Sequence, residues 1–123
     1  MSTLEYFSKK SDPKLFKCPC GNCVATVNPS LPEVLDKIRS IIGMAMAVTS
    51  GPRCVAYNIS IGGAEYSEHI DGDGADIACS NSRKRFLIIK AALVCGINRI
   101  GVGEDFIHLG ISSTNDQLVM WVY

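Results

Sequence analysis

The stretch from Pro52 to Cys79 has no sustained hydrophobic period and carries Gly62, Gly63, Gly72 and Gly74, yet it lies between segments whose periodicity is plain. A chain of 123 residues is long enough to bury one core. An irregular insert of this length must therefore be braced by the elements on either side of it, and such stretches in compact domains usually carry function. The bracing elements are legible. Leu31, Val34, Leu35, Ile38, Ile41 and Ile42 recur at helical spacing, with Ser30 placed as N-cap, Pro32 in the first turn and Gly43 at the stop. A second helix is expected from about Ser82 to Cys95, with Phe86, Ile89, Ala92 and Leu93 as its apolar stripe and Gly96 ending it. Met44–Ser50, Phe106–Ile111 and Leu118–Tyr123 read as strands, the last two joined by the polar turn Ser112–Asp116, and a further strand is expected to begin near Ala75. The expected fold class is α+β: one domain over residues 1–123, built from a small antiparallel sheet with flanking helices.

Composition narrows the partners. Twelve basic and twelve acidic residues leave no net charge, and the one basic run, Arg83-Lys84-Arg85, reads as the solvated first turn of a helix. No nucleic-acid partner is expected, because holding phosphate backbones takes a broad basic surface. The longest apolar run, Ile41–Val48, falls far short of the roughly 20 residues that cross a bilayer, so no membrane partner is expected either. The first residues, MSTLEYFSKKSDPK, hold no apolar segment of secretory type. A monomer, cytoplasmic as synthesised, is the expectation; action on anything outside would require release. Of six cysteines, three form Cys18-Pro-Cys-Gly-Asn-Cys23. Reduced thiols are the default for a chain that encodes no export. A disulfide and a structural zinc knot stay open, and the knot needs a fourth thiolate, for which Cys54 is available if the fold brings it near.

Within the irregular stretch, Tyr66-Ser-Glu-His-Ile-Asp-Gly-Asp-Gly-Ala-Asp-Ile77 concentrates ligand-type side chains. His69 and Asp76 have glycines between them, which favours a loop feeding a strand over a helix and lets both converge on one ion. A calcium loop counted from Asp71 would require glutamate at its twelfth position, and that position is Ser82. Zinc takes imidazole nitrogen and carboxylate oxygen, and a catalytic zinc keeps three protein ligands and one open position. The other histidine, His108, lies in Glu104-Asp-Phe-Ile-His108. Asp105, at the loop end of that strand, offers a carboxylate that could take a proton from the metal's water and pass it to a leaving amine. Arg53 offers a fixed positive charge for a substrate carboxylate or a developing oxyanion. The plain alternative is a surface turn around Asp71–Gly74 and a hydrogen-bonded core histidine.

Ser67-Glu-His69, Gly72 and Ala75-Asp-Ile77 resemble the S-x-H-x-x-G-x-x-x-D motif of the zinc D-alanyl-D-alanine carboxypeptidases, a family that includes phage L-alanyl-D-glutamate endopeptidases and shares its fold with the hedgehog signalling domain. Asp105-Phe-Ile-His108 is similar to the second motif of that family, Thr49-Ser-Gly-Pro-Arg53 to its T-S-G-x-R motif, and Gly62-Gly63 to a glycine pair many members carry. The resemblance covers about residues 28 to 111, which leaves the Cys18–Cys23 cluster outside it. It implies His69, Asp76 and His108 as zinc ligands, Asp105 as general base, Arg53 as the group that stabilises the carbonyl oxygen, and Ser67 as a substrate contact. It implies peptidoglycan stem peptides as substrate, cut at D-alanyl-D-alanine or L-alanyl-D-glutamate, with small size and no leader resembling the phage and prophage members. A zinc-stabilised binding module of hedgehog type without turnover is the alternative from another class. The chain departs from the pattern at Pro52, at Tyr57 of the Tyr57-Asn58 pair, at Gly74 and at Gly110, where an acidic or bulky residue is usual.

Overall fold

The computed structural model describes residues 3–123. It contains α1 (Pro13–Phe16), α2 (Ser30–Ile42), β1 (Val48–Ser50), α3 (Val55–Ser60), β2 (Gly74–Ala78), α4 (Ser82–Val94), β3 (Arg99–Val102), β4 (Phe106–Gly110) and β5 (Val119–Val122). The strands form one sheet in the order β1-β2-β4-β3-β5, antiparallel throughout except for the parallel pair β3 and β5. This is the α+β class that the periodicity pointed to.

Alternation divides the sheet into two faces. Ala75 and Ile77 on β2, Ile107 and Leu109 on β4 and Ile100 on β3 are buried in one apolar cluster with Leu31, Leu35 and Ile38 of α2 and Ile88, Ala91 and Ala92 of α4. The opposite face of the same strands carries Asp76, His108 and Gly101, so one sheet separates the core from the chemistry.

Helix α2 buries Leu31, Leu35 and Ile38 as its spacing predicts, but Ile41 is exposed. Gly43 ends the helix in the left-handed region at φ 66. Ser30 is the first helical residue rather than the cap; the Asn28 side chain accepts its N–H at 3.1 Å. In α4 the expected stripe is rotated: Phe86 and Leu93 are exposed, and Ile88, Ala91 and Ala92 face the core with Ile89 beside them. The helix is apolar on several faces, so periodicity alone did not single out the buried one. Asn81 caps it by accepting the Lys84 N–H at 3.0 Å.

Three further differences have local causes. The strand expected over Met44–Ser50 shrinks to Val48–Ser50, because β1 is an edge strand whose register on β2 is irregular; Ala47 still accepts the Ala78 N–H at 2.9 Å. The expected pair β4–β5 is split by β3, a short strand whose Gly101 hides its pattern, and β5 lies parallel to β3 instead. Within the irregular stretch the six residues of α3 are helical, capped by the Cys54 sulfur, which accepts the Tyr57 N–H at 3.3 Å.

Candidate metal centre

Register builds the site. Asp76 on β2 lies opposite His108 on β4, His108 opposite Gly101 on β3, and Gly101 beside Trp121 on β5, while Ser50 on β1 closes the row on the other side. Residues directly opposite one another on one face of a sheet hold their side chains within contact, so Asp76 and His108 meet although they are distant in sequence. His69 reaches them from the turn that precedes β2. Ser67 holds that turn by accepting the His69 N–H at 3.2 Å. Gly72 reverses the chain at φ 75, where the backbone passes so close to Thr26 and Asn28 that a Cβ would collide with it.

His69, Asp76 and His108 each offer a ligand atom, and these atoms lie within 4.8 Å of one another. Asp76 Oδ1 is 3.2 Å from His69 Nε2 and 2.9 Å from His108 Nδ1. The far nitrogen of each ring is engaged elsewhere. His69 Nδ1 is 2.7 Å from the Gly51 carbonyl oxygen, which can only accept, so Nδ1 carries the proton and Nε2 is left for a metal. His108 Nε2 is 2.5 Å from Glu68 Oε1, which leaves Nδ1. Metal-binding histidines are oriented in this way, by a carbonyl or carboxylate on the outer nitrogen. Two nitrogens and one carboxylate oxygen converging from three chain segments suit zinc.

Both carboxylates are held ionised. Burial would raise Asp76, but hydrogen bonds and charge from His108 and His69 outweigh it and put the group well below the usual carboxylate range. Glu68 is likewise buried and nevertheless lowered, by hydrogen bonding and charge from His108 and then by Arg99. Burial would lower His108, and hydrogen bonds to its carboxylate neighbours Asp76 and Glu68, with their charge, raise it instead.

Glu68 is the residue the sequence reading missed. It is 2% exposed, and its second oxygen accepts from Arg99 Nε at 3.1 Å and from the Ser112 N–H at 3.2 Å. Its carboxylate fills the space over Gly110, where any Cβ would collide with it. The departure at Gly110 and the support of His108 are thus one arrangement: the acidic group arrives from the neighbouring turn, and the glycine makes room for it. The missing side chain at position 110 was the available signal, but nothing in sequence links it to position 68.

Arg53 donates from Nε and Nη2 to Ser50 Oγ, at 3.2 and 3.0 Å, and from Nη1 to Asn58 Oδ1 at 3.1 Å. Its Nη2 stands 3.7 Å from Asp76 Oδ2. Asn58, itself buried, is fixed by donating to the Ala64 carbonyl at 2.9 Å. A cavity of about 420 Å³ opens over the ligand cluster, lined by Arg53, Ser67, Glu68, His69, Asp76 and His108 and walled by Tyr66, Phe106, Trp121 and Tyr123. Trp121 leans toward His108 with ring centroids 5.6 Å apart, across Gly101, whose missing side chain the indole overlies. Five of the six residues put forward from sequence come together here. Asp105 does not: it is exposed in the turn between β3 and β4, outside the cavity lining, and its carbonyl accepts the Cys79 N–H at 2.9 Å.

The described residues include no helix long and apolar enough to cross a membrane. No curated protein sequence matches the chain. The family model for peptidase M15 matches residues 11–110, a span that begins upstream of the resemblance drawn from the motifs and takes in the cysteine cluster. With a His-Asp-His cluster under an open cavity and this match over most of its length, the chain belongs to the peptidase M15 family of zinc-dependent peptidases.

Proposed function

We propose that the protein hydrolyses a peptide bond next to a D-amino acid in peptidoglycan stem peptides, acting as a monomer on cell-wall material it reaches after release. The observation that carries the reading is Arg53 fixed beside the ligand cluster at the floor of the cavity, in a chain whose motifs follow the order of the D-alanyl-D-alanine carboxypeptidases. Zinc held by His69, Asp76 and His108 would supply a Lewis acid that polarises the scissile carbonyl and acidifies water. Everything else falls to the chain. Arg53, locked by Ser50 and Asn58, presents a guanidinium to a substrate carboxylate or to the carbonyl oxygen as charge develops on it. Ser67 and the aromatic wall place the peptide. A stem peptide offers a free carboxylate at its D-alanine terminus and on D-glutamate, which suits a cationic anchor close to the reacting bond.

A proton acceptor is also required. The carboxylates of Glu68 and Asp76 are committed to His108, His69, Arg99 and Arg53. Asp105 carries the role in this proposal, because among the described residues its side chain makes no ion pair or hydrogen bond, and it immediately precedes Phe106, which lines the cavity; catalytic contacts commonly tighten only with substrate bound. Asp105→Asn keeps size and shape but cannot take a proton. Zinc content and melting behaviour should stay at wild-type values while turnover on purified muropeptides, followed by product mass, drops by about 10²-fold or more. Near-normal turnover in a zinc-replete Asp105→Asn protein removes Asp105 from the mechanism. Product masses also report which bond is cut, and a wild type with no product on any stem peptide would favour a binding module instead.

Arg53→Lys should give a smaller loss than Asp105→Asn. Lysine keeps the charge but cannot reproduce the planar donors that Ser50 and Asn58 orient. Steady-state kinetics should show the change mainly in KM if Arg53 anchors a substrate carboxylate, and in kcat if it serves the developing oxyanion.

A further inference from the structure

The cysteine cluster lies away from the cavity, and the fold supplies its missing member. Cys18, Cys20 and Cys23 follow α1, Cys54 caps α3, and the four sulfurs lie within 4.8 Å of one another. Four thiolates around one zinc at about 2.3 Å place their sulfurs roughly 3.8 Å apart. Here Cys54 Sγ is 3.9 Å from Cys20 Sγ, and Cys20 Sγ is 3.2 Å from Cys23 Sγ. Backbone donors point at three of the sulfurs: the Cys54 N–H reaches Cys18 at 3.4 Å, the Asn22 N–H reaches Cys20 at 3.4 Å, and the Tyr57 N–H reaches Cys54 at 3.3 Å. Such bonds orient the sulfurs, as outer partners do around metal ligands.

The segment that carries the first three cysteines needs such a centre. Residues 17–26 hold no helix or strand beyond a bridge between Lys17 and Thr26, and Val24 within them is 94% exposed. No apolar cluster of their own holds them. We propose that Cys18, Cys20, Cys23 and Cys54 bind a structural zinc ion, closed by four protein thiolates and distinct from the active-site metal. Its place gives it a consequence for the cleft. Cys54 directly follows Arg53, whose N–H bonds the His69 carbonyl at 2.9 Å, and Gly51, whose carbonyl orients His69, packs against Lys14 and Leu15 so closely that a Cβ there would collide. The ion therefore staples the N-terminal segment to the loop that presents Arg53.

Metal analysis of the purified protein tests this. Wild type should carry two zinc per chain, His69→Ala one, and the double variant Cys20→Ser/Cys23→Ser one. Cobalt exchanged into wild type and into His69→Ala should give thiolate-to-metal charge-transfer absorption in the near ultraviolet, absent from the double variant. Should the double variant fail to fold, the cobalt spectrum of wild type and His69→Ala decides alone. One zinc in wild type that disappears in His69→Ala, with no charge-transfer band, overturns the proposal, as does a non-reduced mass showing cysteines of this cluster joined as disulfides.

Discussion

His69→Ala should cost the protein one equivalent of zinc and bring turnover below the level left by Asp105→Asn. His69 Nε2 is one of three converging donors, and its ring is held in place by the Gly51 carbonyl at 2.7 Å. Alanine leaves Asp76 and His108 as a two-ligand remnant, short of the three protein ligands on which catalytic zinc sites rest. Without the ion, water keeps its ordinary acidity, and a positioned base, worth about 10² to 10⁴ in rate, has nothing effective to deprotonate. Elemental analysis beside a muropeptide assay reads both quantities. Full zinc content in His69→Ala would remove His69 from the ligand set.

The second large effect belongs to Glu68. Glu68→Ala leaves the Arg99 guanidinium and the outer nitrogen of His108 facing a buried void, and removing one member of a buried ion pair costs about 3–5 kcal/mol. Loss of an outer partner also weakens metal affinity by roughly 10- to 100-fold. Gly110→Ala should fail in a related way by pushing the same carboxylate off His108, although it changes no charge. Acid should diminish the advantage of wild type over Glu68→Gln. The folded protein holds Glu68 below its ordinary value of 4.5, so the stabilisation is fully present above that value and is lost as pH falls through the lowered one. Urea melts at a series of pH values should show the two proteins converging only on the acid side. A gap that stays constant from neutral pH into acid would mean that the Glu68 charge does not hold the fold.

How far the sequence could be read followed from whether a signal was local. Helix α2 announced itself because Leu31, Leu35 and Ile38 share a 3.6-residue period with polar neighbours between them, and the turn from Ser67 to Asp76 because its ligands and glycines lie within a few residues of each other. Helix α4 was placed correctly but turned wrongly, since apolar side chains on several faces leave the buried one to tertiary packing. Strand β3 went unseen because Gly101, which serves the indole of Trp121, interrupts the alternation. The acidic group behind His108 was invisible for another reason: it comes from position 68, the unspecified place between Ser67 and His69 of the motif, and its counterpart is a glycine 42 positions later. The proximity of Cys54 to Cys18 was a matter of fold alone.

Because Asp76 and His108 face each other across a single rung of the β2–β4 ladder, the metal centre doubles as a gauge of strand alignment. A slip of one residue between these strands would turn every side chain of the displaced strand to the opposite face, sending an imidazole into the apolar layer and an isoleucine or leucine into the cleft. A misaligned chain thus forfeits both its core and its His69-Asp76-His108 cluster at one stroke. The contact that reports this alignment joins residues 32 positions apart, so it forms only when the chain between them has closed a long loop.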